Sequence, residues 1–205
     1  WRKVVGFHTE EYLHCAHKEM LLAAAREAGA AIFLQPVVGL EHPGNLDHYT
    51  QVRCYQEFVK KLPSNMIQFG LTPFASRFAG PKEALLQAIM KKNFGCSHFV
   101  VAKDHADPFR GNGESTLFYP TGAAMELVSQ YGQETGIEMV PLREMGYVEK
   151  TGKYVLMEDV EEQDVISISS DDLHRKLIAE EDIPEWLAFP EIVDELRYAF
   201  PPRSK

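Results

Sequence analysis

Val4-Val5-Gly6-Phe7-His8-Thr9-Glu10-Glu11-Tyr12-Leu13-His14-Cys15-Ala16-His17-Lys18-Glu19-Met20 begins as an apolar run, breaks into polar residues and enters a helix-like pattern, so it reads as strand, loop, helix. Such a junction aims free backbone NH groups and the positive end of the helix dipole at whatever lies beyond the strand, which suits an anion. His14 and His17 are three apart. On a helix they share one face, a turn apart and near the N-terminus. There they can donate hydrogen bonds to a triphosphate and follow the charge that develops as pyrophosphate leaves, which is electrostatic stabilisation rather than nucleophilic attack. The alternative is two surface histidines that fall at this spacing without a task.

Outward from this stretch, strand and helix signals alternate. The first helix is predicted to end near Gly29, and Ala31 to Val38 is an apolar run of the kind a strand buried on both faces shows. Glu41 to Asn45 is turn-rich, and Asp47 to Leu62 has helical periodicity with Asp47 as N-cap. Met66 to Leu71 reads as a third strand, Gly80-Pro81 opens a helix, and His98 to Ala102 is a fourth strand running into Lys103-Asp104-His105-Ala106-Asp107. Thr121 to Thr135 reads as helix, Gly136 as its stop, and Ile137 to Val140 as a short strand. From Met145 to Asp164 the pattern is hairpin-like, and Ser169 to Leu196 reads as two short helices separated by Ile183-Pro184 and Phe189-Pro190. This alternation specifies an α/β fold, a parallel sheet with helices on both faces, followed by a small C-terminal helical and hairpin subdomain. Ligands of such sheets bind beyond the carboxyl ends of the strands, which is where Phe7 to His17 and Lys103 to Asp107 begin.

Composition narrows the partners. With 205 residues, 45% of them hydrophobic, the chain can bury a substantial core. A net charge of −9 and a pI near 5.4 argue against a nucleic-acid surface, and no apolar run approaches the roughly 18 residues of a membrane span. Cys15, Cys54 and Cys96 are widely spaced and form no Cys-x-x-Cys pair, so they read as reduced thiols of a cytoplasmic protein rather than a disulfide framework or zinc site. No residue set is assigned as a metal site. Asp104 could assist magnesium, but capping a loop is the commoner role of a strand-end Asp. Gly111-Asn112-Gly113 reads as a turn or a loop closing on a ligand, Glu158 to Glu162 as a solvated acidic run, and His42, His48 and His98 as structural.

The order of Phe7-x-Thr9, His14-x-Ala16-His17, Pro36-x-Val38-Gly39, Arg53-Cys54-Tyr55, Arg77-x-Ala79-Gly80-Pro81-x-Glu83-Ala84, Lys92-Asn93-x-Gly95-Cys96-x-His98-Phe99, Asp104-His105-Ala106, Glu138-Met139 and Ile168-Ser169 resembles the catalytic domain of ATP sulfurylase, sulfate adenylyltransferase, across nearly the whole chain. The resemblance implies a Rossmann-like nucleotidyltransferase domain of HUP type over residues 1–144, with residues 145–199 as a subdomain of the same unit. It implies Mg-ATP and sulfate as reactants, adenosine 5′-phosphosulfate (APS) and pyrophosphate as products, and a homo-oligomer. Phe200-Pro201-Pro202-Arg203-Ser204-Lys205 resembles the linker into an APS kinase domain of bacterial bifunctional proteins, so an APS kinase is expected in the same chain. Thr9, His14, His17, Lys103, Asp104, His105 and Ser169 take the family's nucleotide-binding positions, with His14 and His17 as the catalytic pair.

Three motifs depart from the family pattern. Where the family has Gln-x-Arg-Asn-Pro before the histidines, this chain has His8, Glu10, Glu11 and Tyr12 at the corresponding positions. Where the family has Gly-Arg-Asp-His-Ala-Gly, it has Ala102 to Asp107, so Ala106 and Asp107 close an altered acceptor pocket with His8, Glu10 and Glu11. The late Ser-Gly-Thr-x-x-Arg motif becomes Ser169-Ser170-Asp171-Asp172-Leu173-His174. Two unit charges about 4 Å apart at an effective dielectric near 20 interact by about 4 kcal/mol, so an Arg-to-Glu exchange shifts anion binding by up to about 8 kcal/mol. Two expectations follow. One is a domain that keeps the fold, has weak or lost sulfurylase activity, and serves as a structural, oligomerising or regulatory partner of an APS kinase. The other is a working adenylyltransferase for sulfate or for an acceptor with a positive group that Glu10, Glu11 and Asp107 bind.

Overall fold

β1 (Val4–Phe7) feeds a loop and then α1 (Cys15–Ala28), the strand, loop and helix expected of the opening stretch. The computed structural model describes residues 1–39, 46–109, 117–160, 165–167 and 169–199. The turn from Glu41 to Asn45 with His42, the Gly111-Asn112-Gly113 loop, Glu161-Glu162 of the acidic run, Ile168 and the Phe200 to Lys205 tail lie outside the described residues. β2 (Ala31–Leu34), β3 (Val37–Val38), α2 (His48–Val59), β4 (Ile67–Phe69), β5 (Thr72–Pro73) and α3 (Pro81–Asn93) follow α1. Then come β6 (His98–Val101), α4 (Ala123–Gln130), α5 (Gly132–Thr135), β7 (Glu138–Pro141), β8 (Met145–Val148), β9 (Lys153–Leu156), β10 (Ile166–Ser167), α6 (Ser170–Ile178) and α7 (Pro190–Ala199). The chain divides into two compact units, one of Trp1–His8, Leu21–Leu40 and Met66–Leu142, the other of Thr9–Met20, Glu41–Asn65 and Arg143–Lys205.

The first unit holds a five-stranded sheet in the order β4-β2-β1-β6-β7, and every pairing in it is parallel. The chain runs outward from β1 to β4, then crosses back to β6, so strand order reverses between β1 and β6. In open parallel sheets, ligands bind beyond the carboxyl ends of the strands at such a reversal. β6 is buried along its whole length, and Phe99 and Val101 pack with Ala84, Ala88, Ala124, Val128 and Ile137 of the flanking segments. Small alanines let α3 and α4 lie close to the sheet. Gly80 precedes the Pro that starts α3, and a Cβ there would lie 2.3 Å from the Tyr119 ring. Only glycine fits.

Two elements differ from the sequence expectation. The apolar run from Ala31 to Val38 is two strands, because Pro36 has no NH to give a ladder and pushes Gln35 away from the preceding pairing. Gln35 N still donates to Phe7 O at 2.9 Å, but Pro36 O accepts from Thr72 N at 3.0 Å, which carries the chain into the separate β3-β5 pair. The helix expected from Thr121 to Thr135 breaks at Tyr131 (φ −95, ψ 10), just before Gly132, a poor helix former. Gly136 ends it in the left-handed conformation (φ 66), as read from the sequence.

The same unit buries an ionisable group that its helical setting disguises. Lys91, in the last turn of α3, is 1% exposed and donates from Nζ to Gln35 Oε1 at 3.1 Å. Burial pushes its ammonium pKa from 10.5 down to about 7. Gly6 makes room for the lysine stem, since a Cβ there would stand 3.0 Å from Lys91 Cδ.

In the second unit α2 and α7 pack together. Asp47 caps α2 as predicted, accepting from the backbone N of Tyr49 and Thr50. Arg53 Nε pairs with Glu195 Oε2 at 2.6 Å across the two helices, and Phe58 meets Phe189 edge-on beneath them. β8 and β9 form an antiparallel hairpin that β10 joins, so residues 145–199 carry the hairpin and short helices expected there. Tyr55, fully buried, closes a two-bond clasp on the opening loop: Thr9 N donates to its hydroxyl and the hydroxyl donates to Thr9 O, each at 2.8 Å.

Candidate functional site

The histidine pair belongs to the second unit. His14 stands immediately before α1 and His17 lies in its first turn, each 2% exposed, so they are core residues rather than a surface coincidence. Their rings lie 3.9 Å apart between centroids. His14 N donates to His17 Nδ1 at 3.3 Å, one half of a capping box with histidine in place of the usual Glu, while His17 N donates to the backbone carbonyl of His14. An accepting Nδ1 leaves the proton of neutral His17 on Nε2. That nitrogen faces Glu11 Oε2 at 3.6 Å. Burial, then the neighbouring His17, holds the His14 pKa well below its usual value, against an opposing pull from Glu11.

Local bonds fix Glu11 in this place. Thr9 Oγ1 accepts from Glu11 N at 3.1 Å, a turn that Tyr55 anchors by clasping the Thr9 backbone. Ser170 Oγ sits 3.0 Å from Glu11 Oε2 and 3.2 Å from Tyr12 O, acting as donor to both. Asp171 follows Ser170, and its carboxyl pKa is raised by partial burial and then by the charge of Glu11. His174 stacks on Tyr12 at 5.1 Å. The late motif thus reaches the opening loop through Ser170 and His174. Ser169, expected at the nucleotide, caps α6, its Oγ accepting from Asp172 N and donating to Asp172 Oδ2. The guanidinium of Arg175 lies beside Asp172 and Glu181.

The first unit holds the other polar stretch. At the β1-β6 reversal, His8 stacks on Phe99 with centroids 5.8 Å apart and meets His105 edge-on at 5.6 Å, so the loops after the two strands converge there. His105 Nε2 donates to Gln87 Oε1 at 2.6 Å, and Gln87 Nε2 donates to Glu83 Oε1 at 3.1 Å. Glu83 Oε2 then accepts from Arg77 N and Ala79 N. His105 thereby orders the Arg77 to Gly80 loop through two side chains, with its own proton placed on Nε2 by the amide oxygen that accepts it. Ala106 adopts a left-handed φ of 56, and its carbonyl accepts from Gly80 N. Asp107, 3% exposed, gives its carboxylate to three backbone amides, Phe109, Phe118 and Tyr119, at 2.9 to 3.3 Å. Its charge is compensated within the fold. Lys103 is exposed and Asp104 half-buried, with Lys103 O accepting from Gly122 N. His98 is buried beside Ser97 and Glu138, in the structural role expected of it.

Residues 1–199 match the sequence profile of the ATP-sulfurylase family. The chain belongs to that family. The sulfate adenylyltransferases of Mycosarcoma maydis and Saccharomyces cerevisiae are 41% and 42% identical to this ATP-sulfurylase-family chain, and the matches take in 100% of it but only 36% and 40% of those proteins. The chain therefore spans less than half the length of these relatives. Among solved structures, hexameric APS kinase from Thiobacillus denitrificans has a TM-score of 0.77 and 25% identity, over 99% of this chain and 37% of that one. No helix among the described residues is long and apolar enough to cross a membrane.

Sequence reasoning missed the residues that hold this geometry in place. Tyr55, Glu83 and Ser170 touch the candidate residues from within motifs that gave them no role, and Gln87 lies in none. Gln87 and Glu83 had one available signal, their four-residue spacing on α3, which puts both on one face of the helix, where both are buried.

Proposed function

We propose that this chain is an ATP-sulfurylase-type domain of a sulfate-activating protein whose own adenylyl transfer to sulfate is weak or lost. It serves as a structural and oligomerising partner of an APS kinase. The carrying observation is the Glu11 carboxylate, 3.6 Å from His17 Nε2 and steadied by Ser170. A phosphate or sulfate oxygen approaching that NH meets an anion already in place. Nucleotide, with Mg²⁺ arriving as part of the substrate, is still bound weakly through His14, His17 and the helix N-terminus they share. The hexameric state named for the similar APS kinase supports assembly into a homo-oligomer. A second reading, a working adenylyltransferase whose acceptor carries a positive group, draws on the same carboxylate.

Exchanging the charges separates the two readings. Glu10→Arg with Glu11→Asn removes a repulsion and supplies a bidentate donor to an oxyanion. Calorimetric titration with sulfate is expected to show affinity raised at least about tenfold, about 1.4 kcal/mol, while adenylyl transfer stays low until Asp171→Thr and His174→Arg are added. A double variant that binds sulfate no better than the parent chain would place the anion elsewhere.

A further inference from the structure

We propose that Glu11, His14 and His17 form a binding site for a divalent transition-metal ion of the zinc, cobalt or nickel class. Two imidazoles and one carboxylate are the ligand set that such borderline cations prefer over magnesium or calcium, which favour all-oxygen shells. The three side chains each present a ligand atom, and all three atoms lie within 4.8 Å of one another. Ligand atoms around tetrahedral zinc stand roughly 3.3 Å apart, as bonds of about 2.0–2.1 Å require. The 3.6 Å between Glu11 Oε2 and His17 Nε2 is already close to that, and the widest gap closes by small side-chain rotations.

A second observation points to a ligand. His14 Nδ1 is buried and has no hydrogen-bond partner, in a ring that is 2% exposed and lies against His17. A buried polar atom left in this state is costly, and a metal held by the His14 ring gives that polar group a task. The surroundings have the form of an outer shell as well: Ser170 holds the Glu11 carboxylate, Thr9 Oγ1 fixes its backbone, and Asp171 adds a nearby negative charge. In the metal-free chain the Nε2 proton of His17 bridges toward Glu11. A metal takes over that bridge, the proton moves to Nδ1, and the 3.3 Å bond from the His14 amide is released. The site uses the same three side chains as the function proposed above, and a metal on the histidines excludes their contact with nucleotide; because it is assayed without nucleotide and with no reaction, its failure leaves that reading standing.

Metal-free chain is titrated with Zn²⁺ alone by calorimetry, and with Co²⁺ alone by visible absorption. Binding of one equivalent is expected, with micromolar or tighter affinity, the intense visible bands of low-coordinate cobalt, and a raised Tm. Glu11→Gln and His17→Gln should each weaken zinc at least about tenfold, whereas His48→Gln, outside the cluster, should not change it. Glu11 is partly exposed, so Glu11→Gln carries the test if His17→Gln fails to fold. No binding at millimolar zinc, or binding that Glu11→Gln leaves unchanged, would overturn the proposal.

Discussion

Replacing Tyr55 with phenylalanine is expected to destabilise the second unit by about 2–6 kcal/mol, far more than the loss of one hydroxyl contact suggests. The hydroxyl is shared by the N and O of Thr9, and both Tyr55 and Thr9 are buried. Truncation leaves a donor and an acceptor without water, each costing about 1–3 kcal/mol. Among the described residues, the other bond to Thr9 O is a long one from Gln51 Nε2, at 3.5 Å. Urea unfolding should show a lower midpoint, and the Thr9 amide should lose its protection against hydrogen exchange. A midpoint shift worth less than about 0.5 kcal/mol would show that the clasp is dispensable, as for an ordinary surface contact. Because the same clasp presents Glu11 to His17, the variant should also lose the effect of Glu11 substitution on anion affinity.

Lys91 should make stability rise with pH. Burial lowers its folded pKa from 10.5 to about 7, so between those values the unfolded chain holds a proton that the folded chain does not. Stability therefore climbs across that window, by up to about 4–5 kcal/mol at 1.36 kcal/mol per pH unit. Below pH 7 the folded lysine is itself charged, and the penalty is present in full. Lys91→Met should flatten the climb between about pH 7 and 9 and stabilise the chain at pH 6, less about 1–3 kcal/mol for leaving Gln35 Oε1 unpaired. Denaturation midpoints measured across this range for both proteins check it. Parallel pH profiles would show that Lys91 remains protonated in the fold.

What the sequence disclosed and what it withheld divide along physical lines. Signals that act through the local backbone were legible: Asp47 as a cap, Pro81 at a helix start, Gly136 as a stop, and the apolar runs of a parallel sheet. Pro36 was equally visible but was outvoted by the valines after it, because β3 keeps strand geometry while changing partners. The histidine pair was legible as a spacing, and its burial was not. Lys91 could not be found, since a lysine near a helix C-terminus ordinarily favours the dipole and stays in water. The contacts of Glu11 with His17 and Ser170 were hidden for another reason. They depend on an irregular loop meeting a segment about 160 residues later, and no periodicity reports a side chain's direction there. Asp107 shows the limit of charge counting. Its carboxylate reads as a repelling anion in the sequence, yet three backbone amides absorb it.

The central claim is that a carboxylate now stands where the histidine pair would meet an oxyanion, and that sulfate activation by this chain has fallen accordingly. Sulfate-dependent exchange of labelled pyrophosphate into ATP, with Mg²⁺ present, measures that reaction directly. Enzymes typically turn over at about 10 s⁻¹, and a loss of about 4 kcal/mol in anion affinity places this chain about three orders of magnitude lower, at roughly 10⁻² s⁻¹. Exchange below about 10⁻² s⁻¹ at millimolar sulfate is the predicted result. Exchange at about 1 s⁻¹ or faster would contradict the account, and would mean that Glu11 assists the reaction it is held here to obstruct.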